Sequence, residues 1–314
     1  MHPVLFRIGS FDIACYGPLI AIGVLVGVFI AIRRAKTVGI APDLILDMTF
    51  YSVILGFVGS RLFFILNDLR GFAANPWAYI FSRQGFVFAG GLVFAGAFAI
   101  WYLKRRQCDI WQFGDAATPS IPLAHMFGRL GCFFQGCCFG RVCPPGWERW
   151  GVSFPIVTDP ATGQITFGFA YIDHLSRGWI GPEATHSLPV LPVQLYEAGA
   201  NLLIFLGLIW LWRRRSFRGQ IFVGYLAAYS VVRFLLEFLR GDYSDPGLFG
   251  LLERGQLQQL MCLVAIGAAL VIWLRRRRTP LELQAAPTQT APPLPENRQR
   301  PQNAPKPKRR RRRR

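Results

Sequence analysis

The stretch DIACYGPLIAIGVLVGVFIAI at residues 12–32, followed at once by Arg33, Arg34 and Lys36, decides the fold. After Asp12 it carries no charge, and as helix it is long enough to cross the roughly 30 Å hydrocarbon core of a bilayer. Backbone in lipid must satisfy its own hydrogen bonds, so the block reads as a membrane helix. The same pattern recurs along the chain. Spans are predicted at 12–32, 45–66, 86–103, 116–135, 193–212, 220–240 and 257–274.

Charge then orients them. Lys104, Arg105 and Arg106 follow the third span, Arg213, Arg214, Arg215 and Arg218 the fifth, and Arg275 to Arg278 the seventh. Each odd-numbered span thus ends in a basic cluster, and the loops after even spans hold none as dense. Positive charge stays inside, which puts the N-terminus outside and the C-terminus in the cytoplasm. The expected fold is an all-α integral membrane protein with seven transmembrane helices, multi-pass in the cytoplasmic (inner) membrane. No basic stretch precedes the first block, which is longer than a cleaved leader core and is expected to stay as a helix.

Residues 1–278 make up the membrane domain. It has an outer arm at 67–85, containing the aromatic segment Pro76-Trp77-Ala78-Tyr79-Ile80-Phe81, and a small outer head at 136–192, long enough to cap a site. Residues 279–314 are rich in Pro and Gln and end in six arginines. The formal net charge is +18, and residues 275–314 supply +12 of it, with 14 Lys and Arg against 2 Glu. The high pI therefore describes the tail and not the body. The tail is expected to be disordered and to bind anionic inner-leaflet lipids, with nucleic acid as the other polyanion to consider. The sequence shows no internal repeat, which argues against transporters built from repeated halves.

Ionisable groups inside spans are costly and call for a reason. Tyr229, Arg233 and Glu237 are spaced four apart in the sixth span, with Arg240 three further on the same side. The stripe reads either as an internal Arg233–Glu237 ion pair or as an anion site, with Glu237 orienting Arg233 so that its planar fork meets a phosphate. A second group runs Gly128-Arg129-Leu130-Gly131-Cys132 through Gly136-Cys137-Cys138-Phe139-Gly140-Arg141, where glycines allow close approach. The fourth span is interrupted by Thr118-Pro119-Ser120-Ile121-Pro122 and carries His125 and Arg129, so it is expected to face protein or a wet cavity. Gln194 and Glu197 open the fifth span three apart and are able to face inward together. Arg61, after Gly59-Ser60, either pairs with an acid or helps a phosphate site.

These stretches resemble the prolipoprotein diacylglyceryl transferase family. Tyr16-Gly17-Pro18, Gly59-Ser60-Arg61, the glycine–arginine run from Gly128 to Arg141, Gln194-Leu195-Tyr196-Glu197 and the stripe from Tyr229 to Arg240 carry the likeness, over about residues 3–275. The resemblance implies a seven-span body with outer head and arm. It implies transfer of the diacylglyceryl group of phosphatidylglycerol to the lipobox cysteine of a prolipoprotein, giving a thioether and glycerol phosphate, with no metal or other cofactor. It further implies that Arg129 and Arg233 hold the lipid phosphate, with Tyr16, Tyr229, Glu237 and Gly140 at or near that site. Gly128, Gly131, Arg61, Gln194, Glu197 and Arg240 are the accompanying candidates for substrate binding. The chain departs from the family pattern at four places. Ala89 and Leu191 stand where other members have His, Cys132 where they have Asn and Cys137 where they have Glu.

His125, four residues before Arg129 on the same helix face, is the expected substitute in proton transfer, because a neighbouring guanidinium favours the neutral imidazole. Seven cysteines leave other readings to weigh. Cys132, Cys137, Cys138 and Cys143 suggest a membrane thiol-redox protein, but there is no Cys-x-x-Cys; a structural bridge such as Cys138–Cys143 and free packed thiols are the quieter readings. A relative that only binds lipid or transports anions is the remaining rival.

Overall fold

The structure is a computed structural model that describes residues 4–8, 11–81, 85–158, 165–241 and 254–278. The polybasic tail lies outside the described residues. The long helices are α1 (Tyr16–Thr37), α2 (Pro42–Asn67), α5 (Phe88–Arg105), α7 (Ser120–Gln135), α9 (Val193–Trp212), α10 (Gln220–Glu237) and α11 (Arg254–Arg276). The short ones are α3 (Leu69–Ala74), α4 (Pro76–Phe81), α6 (Ile110–Ala117) and α8 (Phe169–Ser176).

Five helices are long and apolar enough to cross a membrane: α1, α2, α9, α10 and Gly255–Arg276 of α11. Their surfaces are the inverse of a water-soluble protein's. Leu25, Phe29, Phe57, Leu203 and Val264 are each more than half exposed, while Glu197, Asn201, Arg233 and Glu237 are buried. Such a surface matches acyl chains and would aggregate in water. Of the remaining two expected spans, α5 has 18 residues and α7 has 16.

The sequence reading is corrected at several places. The chain is mostly helical, consistent with the all-α membrane class, and adds two small antiparallel sheets that the sequence reading did not contain: β1 (Val4–Ile8) with β2 (Phe11–Ala14), and β3 (Val157–Thr158) with β4 (Ile165–Phe167). The first span therefore begins at Tyr16 and not at 12. Pro18 fits a first helical turn, where its missing N–H is no loss, and the preceding residues are free to pair as strand. The fourth span, expected at 116–135, is two helices. Asp109 caps α6 by accepting from Trp111 N at 2.9 Å, and the chain turns at Thr118-Pro119 before α7. The sixth span ends at Glu237. Beyond it the chain leaves the helix to bridge Gly140 with Arg240, and Arg141 N donates to Leu239 O at 2.8 Å.

Packing pairs α2 with α5, α1 with α7, α7 with α9 and α10 with both α9 and α11. The α2–α5 contact depends on small residues: a Cβ added at Gly59 would lie 2.6 Å from Gly90 O. Asp115 on α6 is fully buried and accepts from Gly219 N at 2.8 Å, Ile221 N at 2.9 Å and Phe222 N at 3.1 Å. It thereby satisfies the otherwise orphaned donors that begin α10. Residues 136–192 have a core of their own around Phe139, Phe154, Ala170 and Val190. Within it His174 is buried and accepts from Leu188 N at 3.2 Å through Nδ1. Burial pushes its imidazole below the ordinary histidine range.

Candidate functional site

The buried charges meet where α7, α9 and α10 pack. Glu197 on α9 is 1% exposed and accepts from Arg129 Nε on α7 at 3.0 Å and from the Tyr229 hydroxyl on α10 at 3.3 Å. Three helices are thus joined through one carboxylate. Tyr229 stacks on Tyr225 with ring centroids 5.7 Å apart. The Tyr225 hydroxyl lies 3.3 Å from His125 Nδ1, whose ring is 5.2 Å from that of Tyr229. One turn beyond Tyr229, Arg233 Nη1 and Glu237 Oε2 are 2.6 Å apart, both buried. Arg129 and Arg233 both lie within electrostatic reach of the Tyr229 hydroxyl.

Each arginine has one part of its fork engaged by a carboxylate. For Arg129 that part is Nε, and for Arg233 it is Nη1. A planar fork braced in this way suits bidentate contact with a phosphate. The low-dielectric surround strengthens such a contact and also makes an unpaired charge costly there, which explains why both arginines arrive with acids.

The other candidates fall into place around this group. Gln194 is buried beside Glu197 and donates from Nε2 to Cys137 O at 2.8 Å. Tyr16 on α1 is in electrostatic reach of Arg129 and of Cys132, Cys137 and Cys138. A Cβ added at Gly131 would stand 2.7 Å from Tyr16 Cδ2, so Gly131 is what lets the tyrosine sit against α7. Around Gly128 a Cβ would meet nothing within 4 Å. Gly140 donates to Leu191 O at 3.0 Å and is tightly enclosed by Leu191 and Val193. A cavity of about 440 Å³ opens beside Glu237, lined by Gly140, Arg141, Arg177, Arg240 and Gln259 among others. Arg61 serves a different place. Its Nη1 donates to Gly85 O at 3.0 Å, at the end of segment 67–85, and its guanidinium lies 5.2 Å from the Phe86 ring.

Of the readings open for the four clustered cysteines, unbridged thiols are the one that the structure shows. None of the seven is bridged, and the Cys138–Cys143 disulfide does not form, because Cys143 packs against Gly151 while Cys138 gathers with Cys132 at the end of α7. The Sγ atoms of Cys132, Cys137 and Cys138 lie within 4.8 Å of one another, each residue partly exposed. Hydrogen bonds from the other two thiols pull Cys138 below its ordinary range, with Arg240 and Arg129 adding to the pull, while hydrogen bonding with Cys132 and Cys138 pushes Cys137 up.

Two members of the buried group were not singled out in the sequence. Tyr225 extends the Tyr229–Arg233–Glu237 spacing by one turn, so the pattern itself contained it. Asn201 is fully buried and donates from Nδ2 to Glu197 O at 2.9 Å. It lies four residues after Glu197, but an amide in an apolar helix gives no sign of which face is inside.

The sequence model of the prolipoprotein diacylglyceryl transferase family matches residues 3–275. Among curated proteins, the chain is similar to the phosphatidylglycerol–prolipoprotein diacylglyceryl transferases of Clostridium tetani, a Nostoc species and Enterococcus faecalis. The Clostridium tetani protein is 29% identical over 84% of this chain and 94% of the relative. The Nostoc protein is 32% identical over 89% and 91%. The Enterococcus faecalis protein is 29% identical over 89% and 92%.

Proposed function

The chain belongs to the prolipoprotein diacylglyceryl transferase family, and on that premise we propose that it transfers the diacylglyceryl group of phosphatidylglycerol to the lipobox cysteine of prolipoproteins. The substrate's thiolate sulfur attacks the glyceryl carbon that bears the phosphate. A C–S bond forms, the C–O bond to phosphate breaks, and glycerol phosphate leaves with the electron pair. The nucleophile belongs to the substrate, so this protein's task is to hold the lipid, stabilise the departing anion and manage the proton.

Arg129 and Arg233 take the phosphate. Negative charge grows on the leaving oxygen as the C–O bond stretches, and fixed cations in a site of low dielectric act most strongly on such charge. The observation that supports this reading best is the Arg129 Nε–Glu197 pair at 3.0 Å, which braces the guanidinium through its inner nitrogen. Glu237 braces Arg233 through Nη1, and Tyr229 contributes a hydroxyl that donates to Glu197. His125 joins this network through Tyr225 and takes part in proton transfer. Tyr16, Gly128, Gly131, Gly140, Gln194 and Arg240 shape the space for the lipid head and the peptide, and Arg61 ties the arm to α2.

In this reading α5 and the α6–α7 pair complete a seven-span body in the inner membrane, N-terminus outside, with the head at 136–192 and the arm on the outer face and the basic tail on anionic lipid inside. The test is complementation of a bacterium depleted of its own transferase. Expression of this chain is expected to restore the lipidated precursor, seen as a gel shift and by mass spectrometry. Normal membrane expression without lipidation would refute the proposal in favour of a relative that binds lipid without transferring it.

A further inference from the structure

We propose that Cys132, Cys137 and Cys138 form a binding site for one thiophilic divalent metal, Zn(II) by chemical class, with a fourth position open to the substrate thiol. The second half rests on the transferase reading above; the first does not.

Geometry carries the argument. A metal with M–S bonds of about 2.3 Å holds its sulfurs about 3.8 Å apart when tetrahedral. The three Sγ atoms already lie within 4.8 Å of one another, so closing on an ion takes less than a bond length of movement. Three cysteines with one open position is a ligand number typical of reactive zinc sites, whereas structural sites close with four.

The loop that gathers the sulfurs is held in an unusual shape. Gly136 ends α7 in the left-handed region at φ 70°, and Cys138 follows at φ 56°, a conformation that residues with a side chain rarely adopt. Cys137 N donates to Cys132 O at 3.2 Å, and Gln194 reaches from α9 to hold Cys137 O at 2.8 Å. This left-handed step turns the Cys138 side chain back toward Cys132. A thiol needs no such support merely to pack; a ligand set does.

The charges fit as well. A divalent ion with three thiolates carries a net charge of −1. Arg129 and Arg240 lie in electrostatic reach of Cys138, and the sulfurs are partly exposed and therefore reachable. Residues 89 and 191 hold Ala and Leu, so no imidazole stands at those two positions to activate a thiol. His125 is seven residues before Cys132, about 10 Å along the helix, too far to serve sulfur at the triad. A thiol that binds the metal gives up its proton to water at the outer mouth and remains as a thiolate. The C–S bond then forms as before, with no change of oxidation state. The metal acts at the sulfur end, and the His125–Tyr225–Tyr229 chain at the phosphate end.

The test uses the full chain purified in detergent under reducing conditions. Elemental analysis is expected to find about one zinc per chain, lost in the triple variant Cys132→Ser, Cys137→Ser, Cys138→Ser and retained in Cys143→Ser. Cobalt(II) added to metal-stripped protein should give thiolate charge-transfer bands and the visible bands of a tetrahedral ion. A lipobox peptide should shift those bands, and the same peptide with Ser at its cysteine should not. Arg233→Ala separates the two readings, because it is expected to abolish transfer and keep the cobalt spectrum. Absence of cobalt uptake, equal uptake by the triple variant, or a disulfide within the triad would overturn the metal site. A cobalt spectrum that no cysteine peptide perturbs would overturn the open position.

Discussion

Glu197→Gln is the sharpest single perturbation of the buried group. The side chain keeps its volume and one acceptor oxygen, so packing is preserved and only the charge is lost. Glu197 Oε1 now serves two donors, Arg129 Nε at 3.0 Å and the Tyr229 hydroxyl at 3.3 Å. The gross attraction between unit charges at that separation is about 5 kcal/mol at an effective dielectric near 20, most of it offset by desolvation. A hydrogen bond to a charged group is worth roughly 1 kcal/mol or more above a neutral one, so losing the charge on two bonds costs about 2–3 kcal/mol of positioning. If that positioning is used in the transition state, kcat falls about 30- to 150-fold. The assay is diacylglyceryl transfer from phosphatidylglycerol vesicles to a lipobox peptide, read by mass spectrometry, with monodispersity in detergent as the control for folding. The loss should appear in kcat more than in KM, because the arginine fork meets its full charge only as the phosphate departs. Arg129→Ala combined with Glu197→Gln should lose little beyond Arg129→Ala alone, since the two act as a unit. A folded Glu197→Gln protein within twofold of the unaltered chain, or full additivity in the double variant, would refute the argument.

Gly131→Ala places a methyl 2.7 Å from Tyr16 Cδ2, so α1 must move from α7 or Tyr16 must turn. The expected cost is about 1–3 kcal/mol, seen as a lower melting temperature together with reduced transfer; an unchanged melting curve would contradict it. His125→Ala is expected to slow transfer about 100-fold through loss of its proton-transfer role. Activity within twofold would remove His125 from the mechanism. His174 gives a pH dependence for the head. Its folded pKa is depressed by burial, so the neutral form is favoured and its contribution is present above the ordinary histidine pKa of about 6.5. That contribution is lost as pH falls from there through the lower folded value. Proteolysis of the head should therefore accelerate on acidification, and His174→Gln should flatten the profile; equal profiles would count against the assignment.

Much of this protein is legible along the chain, and the reason is local. A block that can cross a bilayer is a property of consecutive residues, as is a basic cluster at its end, so the long apolar helices and their ends were readable within a few residues. The Tyr229–Arg233–Glu237 stripe was readable too, because helical spacing alone puts those side chains on one face. Strands β1 and β2 were not. Their few residues merge with the apolar block that follows, and only pairing distinguishes strand from helix there.

What needed the tertiary structure is whatever depends on two elements meeting. No spacing along the sequence says that Glu197 on α9 answers Arg129 on α7, or that Arg61, a buried-looking arginine like the others, turns to Gly85 at the end of segment 67–85. Nor does the order Cys132, Cys137, Cys138, Cys143 say which three sulfurs converge. A left-handed turn at Gly136 and Cys138 decides that, and it sends Cys143 elsewhere. Hydrophobicity and helical period are summed residue by residue, whereas convergence of charges and thiols depends on how helices dock, and docking is set by shape at contacts distant in sequence.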